Sequence, residues 1–308
     1  MADLILHHYP TSPFAEKVRA ILGAKQLAWH SCPQPAVMPK PELQALTGGY
    51  RRIPVLQIGA DVYCDTALIC DVLEHLQPQP ALYPAGVKGA ARVMAQWADT
   101  TLFWAAMAYN FQPAALANIF PGQTPEQIKA FSDDRTQMRG GAPRMHPADA
   151  AVAYKSYLRR IASMVDDQPF VLGSQPTVAD FACYHPLWFT RERAQMPAIF
   201  APTPSIGRWM DRMAAFGHGS IAGKLSPDDA LALARTATPA PMHDDTFQDE
   251  HGIALGSAVT LTAESFGLEP TAGDLIAATR TRYTLRRTDP RAGTVHVHFP
   301  RVGFKLRR

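Results

Sequence analysis

The spacing of apolar residues changes twice along this chain and divides its 308 residues into three regions. Short strand-like runs alternate with helical spacing up to about residue 80, helical spacing dominates from about 88 to 235, and strict alternation follows from about 250. Because strands bury a face with a period of two and helices one with a period of 3.6, the spacing shows which kinds of layer each region can build. We therefore predict an α/β domain over 1–80, an all-helical bundle domain over 88–235 and a small antiparallel β-domain over 250–308.

The first region predicts the order β-α-β, a linker, and then β-β-α. The runs "LILHHY" and "LAWHSCP" predict strands on either side of a helix, and "PVLQIG" and "VYCD" predict a hairpin that turns at Ala60-Asp61. Parallel pairing through a right-handed crossover suits the first unit, and the hairpin adds antiparallel strands to the same sheet. The last helix rests on four apolar residues at helical spacing, Ile69, Val72, Leu73 and Leu76.

The helical region contains one motif that should cap a helix and one proline that should interrupt the same helix. Thr177 and Asp180 have the spacing of a capping box, and Pro186 should bend or break the helix that follows. Buried faces are expected where apolar residues repeat every three or four positions. One such predicted face holds Val93, Trp97, Thr101, Trp104 and Ala108.

The linker "TATPAPMHDD" separates the helical region from the alternating runs, which predict four or five strands. Nine Lys and Arg residues and one acid, Asp289, give Arg280–Arg308 a local net charge of +8, although the whole chain carries only +3. These cations fit solvated strand faces or partners for the acidic remainder of the chain, and nucleic acid is an unlikely partner. His296 and His298 share a strand face but lack a third ligand in the sequence, so no metal is predicted.

Several classes of protein are excluded by what the sequence lacks. No run of about 18 apolar residues exists, so no membrane-spanning helix is expected. The N-terminal residues show no basic region, apolar stretch and small-residue cleavage site in succession, so no signal peptide is expected. The four cysteines form no C-x-x-C pair, which favours reduced thiols in a cytoplasmic protein.

The stretch "HHYPTSPFAEKVRAIL" places Ser12-Pro13 where the first helix should begin. Serine is a good N-cap and proline suits the first helical position, so local structure alone could explain the pair. A hydroxyl at a helix N-terminus also lies in a field that favours anions. Both interpretations stay open at this point.

Four motifs in order resemble glutathione transferases: "TSPFAEKVRAIL", "PKPELQALTGGYRRIPVLQIG", "CDTALICDVLEHL" and "QPTVADFACYHPLWF". The resemblance covers about residues 4 to 220, and Ser-Pro-Phe-Ala is most similar to the Cys-Pro-Phe-Ala of omega-class enzymes, with Ser in place of Cys. It implies a thioredoxin-like glutathione-binding domain and a helical domain. It also implies glutathione as co-substrate, a small hydrophobic electrophile as its partner in reaction, a cytoplasmic detoxification role and a homodimer. The β-domain after residue 250 departs from the usual family pattern.

The resemblance assigns the glutathione backbone and its γ-glutamyl end to two motifs. It implies a cis bond between Ile53 and Pro54, which would expose the backbone of Ile53 to the cysteinyl part of the peptide. It also implies that Thr66 takes the γ-glutamyl carboxylate at a helix N-terminus and that Asp65 takes the ammonium group. From the residues alone, a trans proline and plain helix capping would be the expected alternatives.

The remaining site residues also follow from the resemblance. Lys40 matches the lysine that meets the glycyl carboxylate, with Arg51 and Arg52 as alternative cations. Ser12 would donate a hydrogen bond to the glutathione thiolate, with Tyr9 and Thr11 as rivals. The substrate pocket would be lined by aromatic residues from both domains, including Phe14, Trp104 and Tyr109.

Glutathione transferase is thus the leading functional hypothesis. The alternative from another class is a non-catalytic binding module that keeps the fold and uses its basic C-terminal β-domain to contact a partner. Isomerase, dehalogenase or etherase variants of the same thiolate chemistry also stay open.

Overall fold

A computed structural model describes residues 3–242, 247–248 and 250–308 of the chain. The predicted α/β, all-helical and antiparallel β regions are all present, so the fold class is confirmed. The strands are β1 Leu4–His8, β2 Ala28–Pro33, β3 Val55–Ile58, β4 Asp61–Cys64, β5 Ser220–Lys224, β6 Ala258–Ala263, β7 Thr271–Ala278, β8 Arg282–Asp289, β9 Gly293–Pro300 and β10 Phe304–Arg307.

Eleven α-helices are found in the described part of the chain, interrupted by π-helical segments at Ala98–Leu102 and Phe189–Arg193 and a 3₁₀ turn at Pro197–Phe200. They are α1 Pro13–Ala24, α2 Pro41–Thr47, α3 Thr66–Leu76, α4 Lys88–Trp97, α5 Phe103–Asn110, α6 Pro113–Ile119, α7 Pro125–Arg139, α8 Pro147–Val165, α9 Val178–Trp188, α10 Pro204–Ala214 and α11 Pro227–Thr236.

The strands form one ten-stranded sheet in the order β10-β6-β7-β8-β9-β4-β3-β1-β2-β5. Within it, β1 and β2 are parallel, whereas β3 is antiparallel to both β1 and β4, as the β-α-β and hairpin patterns predicted. Two details differ from the sequence prediction. Helix α2 occupies part of the expected linker, with Pro41 in its first turn, and Asp61 belongs to β4 rather than to the hairpin turn.

The C-terminal strands continue the sheet of the first region, because β9 pairs in parallel with β4. His298 Nε2 lies 2.9 Å from the Asp61 carboxylate across this junction, and the Ala240 amide donates to the same carboxylate at 2.7 Å. One apolar core is shared: Leu46 and Val62 of the first region are buried with Leu285 and Val297 of the last. The boundary at residue 250 therefore stays a prediction, and the last residues of the quoted linker, 243–245, lie outside the described part of the chain.

The predicted apolar stripe on α4 and α5 is wrong, since Val93 is 70% exposed and Trp104 is 41% exposed. The π-helical segment Ala98–Leu102 adds a wider turn between the two helices and shifts which residues of α5, Trp104 among them, face the core. Val93 precedes this segment, which does not explain its exposure. Helix α9 begins at the predicted capping box and does not break at Pro186, because nearly every residue of it is buried and tertiary packing holds it together.

The basic C-terminal segment is partly neutralised by ion pairs within the chain. Arg286 pairs with Asp274 and Arg287 with Asp289 inside the segment's own sheet. Arg291 reaches Glu42 at 2.8 Å, so one of these cations meets the acidic remainder of the molecule as the sequence suggested.

Candidate functional site

Strand register brings the predicted site residues to one end of the sheet. His7 of β1 pairs with Val55 of β3, which pairs with Cys64 of β4. The residues that follow β1, precede β3 and follow β4 must therefore lie side by side, since β3 runs antiparallel to its neighbours. These are the positions of the predicted residues Ser12, Ile53, Pro54, Asp65 and Thr66.

Ser12 is the N-cap of α1, and its Oγ accepts a hydrogen bond from the Ala15 amide at 3.2 Å. In the described part of the chain, its hydroxyl proton donates to no protein group. The side chain therefore caps the helix as an acceptor and keeps its donor free for a second partner. Of its rivals, Tyr9 has its hydroxyl 3.3 Å from the Arg135 guanidinium on α7.

The bond between Ile53 and Pro54 is cis, as the resemblance implied. Asp65 has a φ of +74° and caps α3 by accepting from the Ala67 amide at 3.0 Å. A positive φ is costly for a residue other than glycine and is often found at ligand sites. It places Asp65 and the first residue of α3, the buried Thr66, at the N-terminal end of a helix dipole.

A buried charged group lies directly behind Thr66. The Lys17 ammonium donates to the Thr66 hydroxyl at 3.2 Å and to Asp99 of the π-helical segment at 2.5 Å, and His185 of α9 lies 3.0 Å from the same carboxylate. Burial opposes the charge of Lys17, but its acidic neighbours, Asp99 foremost, together outweigh burial and raise the pKa of Lys17. This arrangement joins the candidate site to the helical domain.

Sequence reasoning missed the buried group around Lys17. A signal was present, because Lys17 falls among Phe14, Val18 and Ile21 on the apolar stripe of α1. A lysine there must bury its ammonium group and so needs a partner carboxylate. Which of the acidic residues supplies it could not be read from the sequence, since Asp99 lies 82 positions away.

Lys40 is 4% exposed, and its ammonium reaches only the Arg51 carbonyl, at 3.4 Å. No carboxylate among the described residues forms an ion pair with it. Burial and the Arg135 guanidinium lower the pKa of Lys40 to about 8. The two alternative cations are engaged elsewhere: Arg51 pairs with Asp134 and Glu269, and Arg52 lies 3.6 Å from Asp65.

Aromatic side chains lead away from the start of α1. The ring of Phe14 lies 4.6 Å from Phe103, Phe103 lies 5.0 Å from Trp104, and Trp104 lies 5.0 Å from Phe266 of the β6–β7 loop. Two of the three predicted pocket residues, Phe14 and Trp104, belong to this row. The third, Tyr109, has its ring against Tyr154 of α8 instead.

None of the helices in the described ranges is both long and apolar enough to cross a membrane. No group of three or more His, Cys, Asp or Glu side chains within the described ranges is arranged to hold a metal ion.

A thioredoxin-like sheet domain with a cis-proline, followed by a helical domain, defines the class of glutathione transferase folds. Residues 6–81 match the family Glutathione S-transferase, N-terminal domain, and residues 113–212 match Glutathione S-transferase, C-terminal domain. A GST-like protein of known structure from Pseudomonas syringae is 40% identical, with a TM-score of 0.80 and 99% of each chain covered. The chain belongs to the glutathione S-transferase family, whose members use glutathione, and the match to this relative includes the C-terminal strands.

More distant structures share the fold alone. A glutathione S-transferase from Rhodospirillum rubrum F11 and FzlA from C. crescentus are each 21% identical, cover 69% of this chain and 88% of their own, and have TM-scores of 0.53 and 0.51. The β-etherase LigF from Sphingobium sp. strain SYK-6 is 18% identical over 69% of this chain and 95% of its own, with a TM-score of 0.51. The comparison with curated proteins gave no match.

Proposed function

We propose that this protein is a glutathione transferase whose Ser12 hydroxyl stabilises the glutathione thiolate for attack on a small hydrophobic electrophile. The observation that carries the proposal is the free hydroxyl donor of Ser12 at the N-terminus of α1. Lowering a thiol pKa by about two units requires roughly 2.7 kcal/mol. A hydrogen bond to a charged group contributes about 1.5–3 kcal/mol and a helix N-terminus about 0.3–1 kcal/mol, which together are of the size required.

The rest of the peptide would extend along the end of the sheet. Its γ-glutamyl carboxylate would meet Thr66 and the amides of α3, and its ammonium would meet Asp65. Its cysteinyl backbone would pair with Ile53 beside the cis Pro54 in the manner of an added strand. Lys40 suits the glycyl carboxylate because its buried ammonium forms no ion pair with a carboxylate of the described residues.

The second substrate, the assembly and the location are further parts of the proposal. Phe14 and Trp104 would line the electrophile pocket together with Phe103. Tyr109 would line it further along α5. The family's usual homodimer and a cytoplasmic detoxification role accompany this function, and all four cysteines are free and buried as a reducing compartment allows.

Etherase chemistry, as in the name of LigF, would use the same thiolate. A non-catalytic module is less favoured, since Arg286, Arg287 and Arg291 of its supposed contact surface pair within the chain.

Two variants test the proposal, one through the pKa of the bound thiol and the other through the affinity for glutathione. Ser12→Ala removes the donor to sulfur, so we expect the pKa of the bound glutathione thiol to rise by about one to two units, while the Kd at about pH 5.5, where the free and the bound thiol are both protonated, changes little. Asp65→Asn keeps a capping side chain but removes the charge that meets the ammonium, so we expect glutathione to bind at least about tenfold more weakly with an unchanged thiol pKa. Thiolate absorbance against pH and calorimetry provide the two measurements.

If the wild-type protein does not bind glutathione, the proposal is wrong. If glutathione binds and Ser12→Ala leaves the thiol titration where it was, Ser12 is not the thiolate donor. The same titration on Tyr9→Phe and Thr11→Ala would then identify the donor.

The pH dependence of binding tests Lys40. The glycyl carboxylate should bind the protonated form of Lys40, whose pKa in the protein without ligand is about 8. The affinity should therefore be highest well below pH 8 and decrease as the pH rises through 8. For S-methylglutathione, which has no thiol to titrate, we expect the affinity to fall by about eightfold between pH 7.5 and pH 9 beyond the effect of the ligand's own amine.

Lys40→Gln serves as the control for this measurement. It should bind more weakly at pH 7.5 and show only the pH dependence of the ligand amine. Equal pH profiles for Lys40→Gln and the wild type would remove Lys40 from the carboxylate site.

A further inference from the structure

The loop between β6 and β7, residues Glu264–Pro270, is here called the strap. On its sheet side, the Arg52 guanidinium donates to the carbonyls of Ser265 and Phe266, the latter at 2.6 Å. Arg51 donates to the Glu269 carboxylate at 2.9 Å. The strap is thus fastened beside the segment that leads into the cis Ile53–Pro54 bond.

On its other side, the strap is fastened to the helical domain. The Gly267 amide donates to the Met138 carbonyl at the end of α7, at 2.6 Å. Gly267 has a φ of +73°, and an added Cβ there would lie 3.1 Å from the Met138 side chain, so the strap approaches α7 closely at this residue. Leu268 lies against Gly140, and the Phe266 ring meets Trp104 edge to face.

Two separate chains of contacts connect Phe266 to the candidate glutathione site. The first is the aromatic row Phe14–Phe103–Trp104, which begins two residues after Ser12. The second is Arg52, which lies 3.6 Å from Asp65 and also holds the Phe266 carbonyl. Phe266 is therefore connected both to the thiol end and to the γ-glutamyl end of the candidate site.

We propose that Phe266 is a specificity-determining residue, which together with Trp104 forms the wall that the second substrate meets. This inference rests on the proposed glutathione transferase function. The Phe266 ring restricts the group attached to the glutathione sulfur to a small one. A bulky planar group can enter only by separating the Phe266 and Trp104 rings, which are held by their mutual contact and by the strap's hydrogen bonds on both sides.

S-substituted glutathiones test the proposal, because they carry the second substrate's group on the sulfur. Calorimetry on the full chain would compare glutathione, S-methylglutathione and S-(2,4-dinitrophenyl)glutathione. In the wild type, we expect the dinitrophenyl compound to bind at least about tenfold more weakly than the methyl compound. In Phe266→Ala this difference should shrink by about tenfold, while the Kd for glutathione stays within about twofold.

Two further variants make the comparison specific. Leu268→Ala removes a strap side chain that faces Gly140 rather than Trp104 and should leave all three affinities within about twofold. Phe266→Leu keeps an apolar side chain of intermediate size in the strap and should fall between the wild type and Phe266→Ala, even if the alanine variant is unstable.

The results separate this inference from the function on which it rests. A wild-type protein that binds no glutathione overturns both. If glutathione binds, the inference alone is overturned by any of three results: equal wild-type affinity for the methyl and dinitrophenyl compounds, an unchanged ratio in both Phe266 variants, or the same gain in Leu268→Ala.

Discussion

A chain that ends at Ala240 is expected to be insoluble or to lose cooperative unfolding. Removing the later residues exposes the β4 edge and half of a shared core, in which Leu46 and Val62 are fully buried against Leu285 and Val297. Each such side chain contributes roughly 1.5–3 kcal/mol on burial. The summed free energy lost at several such positions exceeds the free energy of unfolding of a typical domain, which is about 5–15 kcal/mol. Soluble yield, far-ultraviolet circular dichroism and urea unfolding would measure the result.

Co-expression of residues 1–242 with residues 247–308 provides the control. Because the junction consists of strand pairing and side-chain packing, the two pieces should assemble and restore solubility. A soluble 1–240 chain that unfolds cooperatively would instead show that the first two regions fold alone, and the predicted boundary at residue 250 would then mark an independent domain.

The sequence predicts well those features that neighbouring residues determine. Periodicity located β1, α1 and α3, and the Thr177–Asp180 spacing located the start of α9, because strands, helices and caps depend on a few consecutive residues. The resemblance implied that Ser12, Pro54 and Asp65 lie together at one end of the sheet. The register of β1, β3 and β4 gives the physical reason.

Features that depend on distant residues were not predictable in this way. The strap joins Arg52 to a carbonyl 214 positions later, and β9 reaches β4 across an even longer separation. An alternating run shows that a strand has a buried face but not which edge it joins. The misassignment of Trp104 has a local cause instead, since the π-helical segment Ala98–Leu102 changes the helical phase for all later residues.

The second large expected effect is a loss of stability when the buried Lys17–Asp99 pair behind Thr66 is broken by Asp99→Ala. Lys17 is 1% exposed, so removing its carboxylate leaves an ammonium group buried without an anion within bonding distance. Burial alone would raise the pKa of Asp99, but the Lys17 ammonium lowers it. The carboxylate therefore contributes at neutral pH, and its contribution is lost only as the pH falls through the lowered pKa. Because breaking a buried pair costs about 3–5 kcal/mol and Asp99 keeps some exposure, we expect a loss of about 3 kcal/mol in the free energy of unfolding.

The exposed pair Lys129–Asp133 supplies a matched control, since its two charged atoms are also 2.5 Å apart while both side chains are mostly exposed. Asp133→Ala should cost no more than about 0.5 kcal/mol in the same urea experiment, because water already solvates both charges. Adding Lys17→Met to Asp99→Ala should recover part of the loss, since it removes the unpaired ammonium while keeping an apolar side chain of similar length. Equal losses for Asp99→Ala and Asp133→Ala would mean that water reaches Lys17, and that the charge behind Thr66 does not hold the two domains together.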